Sequence, residues 1–301
     1  MKLLAWGMSD TGQRREHNED NFLIDDALGL FGVADGMGGH RGGETASRMA
    51  LEVLARRIAE AIGDLKEAAD ELERSRPRPS LASLQGLQRD AGWRERLGRA
   101  PTAPFGLPTI ESPAMVVMRA AAERASDEIF GASQTDERLH GMGTTLTAMF
   151  YDRKAMHIVH AGDSRAYRFR QRSLEQLTED HSWIAEQIRS GQMSEREAKA
   201  SNMRHVITRS VGFEREVEID TFSVAAEPGD CFLLCSDGMS NYIDNVEIER
   251  LMQVTWHRLI PERFIQIANE RGGDDNITVV LVQVANDGSV ERVVDSASGP
   301  R

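Results

Sequence analysis

The chain has 301 residues, of which 40% are hydrophobic and 28% charged, a balance that permits a buried core and argues against wholesale disorder. Its formal charge of -12 argues against a general nucleic-acid binder, which needs clustered Lys and Arg to displace counterions. The N-terminal apolar stretch is too short for a signal-peptide core, and no run approaches the ~18 apolar residues of a membrane span, so a cytoplasmic protein with no membrane partner is expected.

Residues 2–36 read as short strands, because apolar and small residues alternate or run briefly between turn signals such as Thr11-Gly12 and Asp25-Asp26. From about 44 to 72, Ala46, Met49, Ala50, Val53, Leu54, Ile58 and Ile62 recur at helical spacing and give one buried face. Six of the nine prolines fall in residues 75–113, and the periodicity is lost there, which predicts a loop insertion. A second helix is predicted over about 114–131. Leu146, Ala148 and Phe150 then alternate, the turn Asp152-Arg153-Lys154 follows, and His157 and Val159 continue on a return strand.

Residues 181–200 are helical in character, 217–235 and 276–284 strand-like, and 245–271 hold two amphipathic helices. Strands cluster beside strands and helices beside helices, which argues for a layered α+β fold rather than βαβ repetition. The only cysteines, Cys231 and Cys235, lie four apart on one predicted strand, about 13 Å from each other, too far to bridge, so buried reduced thiols are expected. A reducing compartment fits that reading.

The chemistry-bearing residues are scattered. Acids sit beside glycines or at strand ends in Asn18-Glu19-Asp20, Asp35-Gly36, Gly162-Asp163-Ser164-Arg165, Ser236-Asp237-Gly238 and Asp274-Asp275-Asn276. A carboxylate at the mouth of a buried strand needs a partner, and hard cations such as Mg²⁺ or Mn²⁺ prefer oxygen ligands of this kind. Two such ions suit phosphate-ester hydrolysis, a reaction that demands strong electrostatic stabilisation. They also reconcile an acidic chain with an anionic substrate. Any one Asp-Gly pair is most often a turn, so only the set carries weight.

Other phosphatase chemistries do not fit. A cysteine nucleophile would need Arg six positions on, where Asp237 and Asn241 stand, and the Asp-x-Asp of an aspartate nucleophile is missing.

Taken in order, Arg15-x-x-Asn18-Glu19-Asp20, Asp35-Gly36-Met37-Gly38-Gly39-His40, Gly143-Thr144-Thr145, Gly162-Asp163-Ser164-Arg165, Thr178-x-Asp180-His181-Ser182, Ser236-Asp237-Gly238 and Asp275-Asn276-x-Thr278 closely resemble the protein phosphatase 2C family in its bacterial form. The resemblance spans nearly the whole chain, as one phosphatase domain over 1–290 with a tail over 291–301. It implies a four-layer α-β-β-α sandwich, two antiparallel sheets flanked by helix pairs, with a dimetal site at one end.

It further implies a metal-dependent phosphatase acting on phosphoserine and phosphothreonine proteins, plausibly targets of a serine/threonine kinase, by direct attack of a metal-activated water. The expected cofactors are two Mn²⁺ or Mg²⁺ ions and a third, weaker one, and a monomer is expected. Asp35 would bridge the metals with the Gly36 carbonyl on one of them; Asp237 and Asp275 would hold the other. Glu19 and Asp20 match acids that hold metal directly or through water, Asp163 matches an acid of the third site, and Arg15 matches the phosphate-binding arginine.

Animal members carry His directly after the Asp-Gly, where this chain has Met37; the proton donor is left open between His40 and a water. Residues 178–212 correspond to a flap beside the metals, and Arg196 and Lys199 are its expected selectivity residues. A scaffold that has lost catalysis is the competing reading, against which the retention of Asp35, Asp237 and Asp275 speaks.

Overall fold

The computed structural model describes residues 1–39, 41–75, 112–201, 203 and 206–285. Its strands, in chain order, are β1 (Lys2–Asp10), β2 (Asp20–Asp25), β3 (Leu30–Met37), β4 (Gly143–Thr144), β5 (Leu146–Tyr151), β6 (Ala155–Ala161), β7 (Arg165–Arg170), β8 (Ser173–Gln176), β9 (Asp220–Ala225), β10 (Cys231–Cys235) and β11 (Ile277–Ala285). The helices are α1 (Arg41–Ser75), α2 (Pro113–Thr135), α3 (Trp183–Arg189), α4 (Glu195–Ala200), α5 (Asp237–Ser240), α6 (Asn245–Val254) and α7 (Ile260–Glu270). The predicted insertion over 75–113, His40 and the 291–301 tail lie almost wholly outside the described residues.

The strands form two antiparallel sheets, one in the order β1-β11-β10-β7-β8 and the other β2-β3-β5-β6-β9, with β4 added beside β3. Strand periodicity sends alternate residues to opposite faces. Leu146, Ala148 and Phe150 therefore meet α1 and α2, while Met149 and Tyr151 meet the opposing sheet. On β10, Cys231, Leu233 and Cys235 face α6 and α7, and Phe232 and Leu234 enter the space between the sheets. Three apolar clusters stacked in this way make the four layers. The sequence alternation thus distributes side chains between two cores, rather than between core and solvent, and β5 and β10 are buried throughout.

Local chemistry sets the helix ends. Ser112 caps α2, accepting from the Met115 amide at 3.2 Å, and Pro113 occupies the first turn, where a missing N–H costs nothing. Asp244 accepts from the Glu247 amide at 2.9 Å and starts α6. Both cysteines are free and buried, and burial pushes both thiols up to about 12, which keeps them inert. None of the helices among the described residues is long and apolar enough to cross a membrane.

At the end of the sheets away from the acids, Asp230 is almost fully buried and takes a fork from Arg170, with Nε and Nη2 each 2.6 Å from its oxygens. Its Oδ2 also accepts from the Glu227 amide at 2.8 Å, fixing the turn into β10. Asp230→Ala is expected to cost about 2–3 kcal/mol, because it strands both the guanidinium and the amide. A urea midpoint equal to that of the unaltered chain would show that the pair contributes nothing.

Candidate metal centre

Strand pairing brings distant acids together. β2 and β3 run antiparallel with Asp20 opposite Asp35. Asp237 opens α5 directly after β10, Asp163 lies in the β6–β7 turn, and Asp275 immediately precedes β11. Arg15, Glu19, Asp35, Gly36, Asp163, Asp237 and Asp275 all line one cleft.

Asp35 and Asp20 are held from behind. The Asp35 amide donates to Thr145 Oγ1 at 2.9 Å, and its carbonyl accepts from the Thr145 amide at 2.8 Å and the Thr144 hydroxyl at 2.9 Å. This is the structural task of Gly143-Thr144-Thr145. Asp20 Oδ2 accepts from Thr278 Oγ1 at 2.7 Å and Ser236 Oγ at 2.8 Å. The Thr278 hydroxyl also meets Ser9 Oγ at 2.7 Å, which accepts from Asn18 Nδ2 at 2.7 Å, so a chain of hydroxyls ties three segments to one carboxylate oxygen.

Asn276 acts as a staple. Its Oδ1 accepts from the Glu19 amide at 2.8 Å, and its Nδ2 donates to the carbonyls of Thr11 and His17, each at 2.9 Å. The Arg15–Glu19 loop is thereby fastened to the start of β11. Gly36 and Gly238 are required by close backbone approach: a Cβ on Gly36 would lie 2.1 Å from the Gly43 carbonyl oxygen, and one on Gly238 2.0 Å from that of Asn276.

The electrostatics are those of crowded anions. Burial, then Asp20, Asp237, Asp163 and Asp275, hold the Asp35 carboxyl well above the usual carboxylate range. Burial and Asp237 do the same to Asp163. Burial raises Asp20 to about 7 against the lowering effect of its Thr278 and Ser236 hydrogen bonds.

These residues suit hard divalent cations. Every donor is an oxygen, and Asp20 Oδ1 and Asp163 Oδ1 are buried with no hydrogen-bond partner. Among the described residues, no three His, Cys, Asp or Glu side chains close into a compact cage. The acids ring an open cleft, where a divalent cation would offset the repulsion among them.

Arg15 is half exposed and already engaged, its Nη2 2.8 Å from Asp275 Oδ2. Two residues expected to have separate tasks, at phosphate and at metal, are thus an ion pair here. Sequence reasoning assigned no role to Thr278, Ser236 or Asn276, nor to the bidentate pair in which Arg165 Nε and Nη2 reach the Asp180 oxygens at 2.8 and 2.7 Å. All lie in the motifs quoted above, but their tasks are tertiary.

The segment over 178–212 contains α3 and α4 as predicted and borders the cleft through Ser182, Ile184, Ile188, Ala198 and Ile207. Arg196 is exposed, and the side chain of Lys199 lies outside the described residues.

The protein phosphatase 2C family model matches residues 11–271. The serine/threonine phosphatase stp of Listeria monocytogenes is 34% identical over 281 residues, covering 91% of this chain and 93% of the relative. The crystal structure of the Mycobacterium tuberculosis serine/threonine phosphatase PstP/Ppp superposes with a TM-score of 0.73 at 28% identity, covering 95% of this chain and all of that one. A structure of the PstP catalytic domain in complex with two manganese ions gives a TM-score of 0.69 at 28% identity, covering 94% and 99% of the two chains. On this agreement of motifs, fold and relatives, the chain belongs to the protein phosphatase 2C family and is a metal-dependent protein serine/threonine phosphatase.

Proposed function

We propose that Asp35, Asp237 and Asp275, with Glu19, Asp20 and the Gly36 carbonyl, hold two Mn²⁺ or Mg²⁺ ions, and that Arg15 binds the phosphate of a phosphoserine or phosphothreonine protein. The observation that carries this reading is the crowding of buried acids whose free oxygens, Asp20 Oδ1 and Asp163 Oδ1, meet no donor. Two such cations, when bound, supply the positive charge that a phosphoryl-transfer transition state needs and lower the pKa of water.

The chain's own residues supply position. Thr278 and Ser236 fix one oxygen of Asp20 and leave the other without a hydrogen-bond partner, and Thr144 and Thr145 pin the Asp35 backbone. The planar fork of Arg15 suits two phosphate oxygens, and a cation held by Asp275 would compete with Arg15 for that carboxylate and leave the fork for phosphate. Asp163 is the acid of a third, weaker ion. His40 lies outside the described residues, and no proton transfer is assigned to it. The substrates are targets of a serine/threonine kinase, and the enzyme works as a cytoplasmic monomer; two buried free thiols suit that compartment.

Phosphate release from a phosphothreonine peptide is expected to require Mn²⁺ or Mg²⁺ and to vanish with chelator. Asp35→Asn is expected to lower it by about 10²-fold or more while leaving the metal-free protein folded, since Asn keeps the shape and removes a carboxyl that its neighbours disfavour in the charged form. Full turnover of that variant in saturating Mn²⁺ would refute the assignment of Asp35.

The metal-free chain should also respond to pH in a direction the acids fix. The folded-state pKa of Asp20, about 7, lies above its ordinary value of 3.8, so the folded state binds the extra proton as pH falls below 7. Metal-free protein is expected to gain melting temperature from pH 8 to pH 6, and Mn²⁺ to give its largest increment at pH 8. A metal-induced increment that grows toward pH 6 would contradict this.

Asp163→Ala is expected to reduce turnover about tenfold or more, while calorimetry still registers two tight Mn²⁺ ions. Loss of tight binding would move Asp163 into the principal pair.

A further inference from the structure

The cleft has two unlike walls. One carries the acids. The other comes from residues 178–212: Asp180 and Ser182 line it at its base, and beyond them lie Ala198 and three isoleucines, Ile184, Ile188 and Ile207, that belong to none of the three apolar clusters. Ile184 and Ile188 stand four apart on α3 and so share one face. The helix contributes no fully buried residue to the fold, and Ile184 and Ile188 are only partly covered.

The polar face of α3 is engaged elsewhere. Glu186 Oε1 accepts from Thr208 Oγ1 at 2.7 Å, and Arg189 Nη1 lies 2.7 Å from Glu179 Oε2. These bonds set the rotation of the helix and leave the isoleucines turned inward. Ile207 is brought alongside by its bridge to Ser182, with the Trp183 amide donating to the Val206 carbonyl at 2.9 Å and the Thr208 amide to the His181 carbonyl at 2.8 Å.

We propose that Ile184, Ile188 and Ile207 form an apolar subsite that takes a large aliphatic or aromatic side chain flanking the phosphorylated residue of the substrate. The occupant is a substrate segment because the wall is continuous with the acid cluster: a phosphoserine or phosphothreonine seated at the acids runs its neighbouring residues along the isoleucines. A small aryl phosphate ends before them. Selectivity then rests on burial of apolar surface, and Arg196 is not among the described residues that line the cleft. The subsite rests on the phosphatase reading given above.

The test is phosphate release in Mn²⁺ from phosphothreonine peptides in which one flanking position at a time carries Ala, Leu or Glu, with p-nitrophenyl phosphate in parallel. Leu at one flanking position is expected to raise kcat/KM about tenfold over Ala, chiefly through KM. The double variant Ile184→Ser, Ile188→Ser is expected to lose that preference and keep hydrolysis of the small ester. Ile188→Lys supplies an arm that misfolding cannot imitate, because it is expected to move the preference at the same position from Leu to Glu. Hydrolysis of the small ester with equal rates on Ala, Leu and Glu peptides would overturn the subsite alone, as would an Ile188→Lys variant that still prefers Leu. An unaltered chain that releases no phosphate even from the small ester would overturn the phosphatase reading and the subsite together.

Discussion

The crowding of Asp20, Asp35, Asp163 and Asp237 at one end of two apolar sheets is the constraint on which the rest of the structure depends. A carboxylate withdrawn from water is costly, and like-charged neighbours add to that cost. The stabilisation that offsets it lies elsewhere in the molecule. Strands buried on both faces, such as β5 and β10, anchor the acids at their ends, and the three apolar clusters resist the local repulsion without contributing a polar group to the site. A single sheet with one wet face would supply about half the buried apolar surface per strand, and the four-layer arrangement follows from that need.

Holding the acids at the right distance is a separate problem from tolerating them. Hydroxyls and one amide perform it. Thr144, Thr145, Ser236 and Thr278 are neutral, so they add no charge to the cluster, and each bonds to a backbone or carboxylate atom that would otherwise drift. Asn276 can join three backbone groups only because an amide is both donor and acceptor; an Asp of the same shape would repel the Thr11 and His17 carbonyls. The neutrality of this supporting layer is as much a part of the candidate metal site as the acids are.

Much of this was legible in the residues. The hydrophobic periods placed the helices within a few residues, and the turn at Asp152-Arg153-Lys154 stands where it was expected, with Arg153 at φ 78. The acids announced themselves by standing beside glycines at the ends of apolar runs, and those on the cleft wall came from five separate segments, as the ordered motifs implied. What escaped was whatever depends on pairs far apart in the chain. Thr278 and Asp20 are 258 residues apart, and a lone Thr on a buried strand reads as an ordinary strand residue. The alternation in β5 gave the strand but not its double burial, because a period of two distinguishes faces without saying what covers them. In 181–200 the charged residues drew attention, and Ile184 and Ile188 were too few to mark a face without knowing that it turns toward the acids.

The division of labour between the two cleft walls has a mechanical consequence. The acid wall is built on paired strands and moves only if the sheets do. Among the described residues, the near end of the wall over 178–212 is tied to the turn that carries Asp163. The His181 amide donates to the Gly162 carbonyl at 2.8 Å, the Gly162 amide donates to His181 Nδ1 at 3.2 Å, and Arg165 clasps Asp180 on the adjoining side. Asp163 lies between Gly162 and Arg165. Gly162 and Arg165, on either side of that acid, are therefore both bonded to the base of the segment, so any coupling between the segment and Asp163 would run through these bonds. Paired strands fix the acids, and these bonds join the segment proposed to meet the substrate's flanking residues to the turn that carries Asp163.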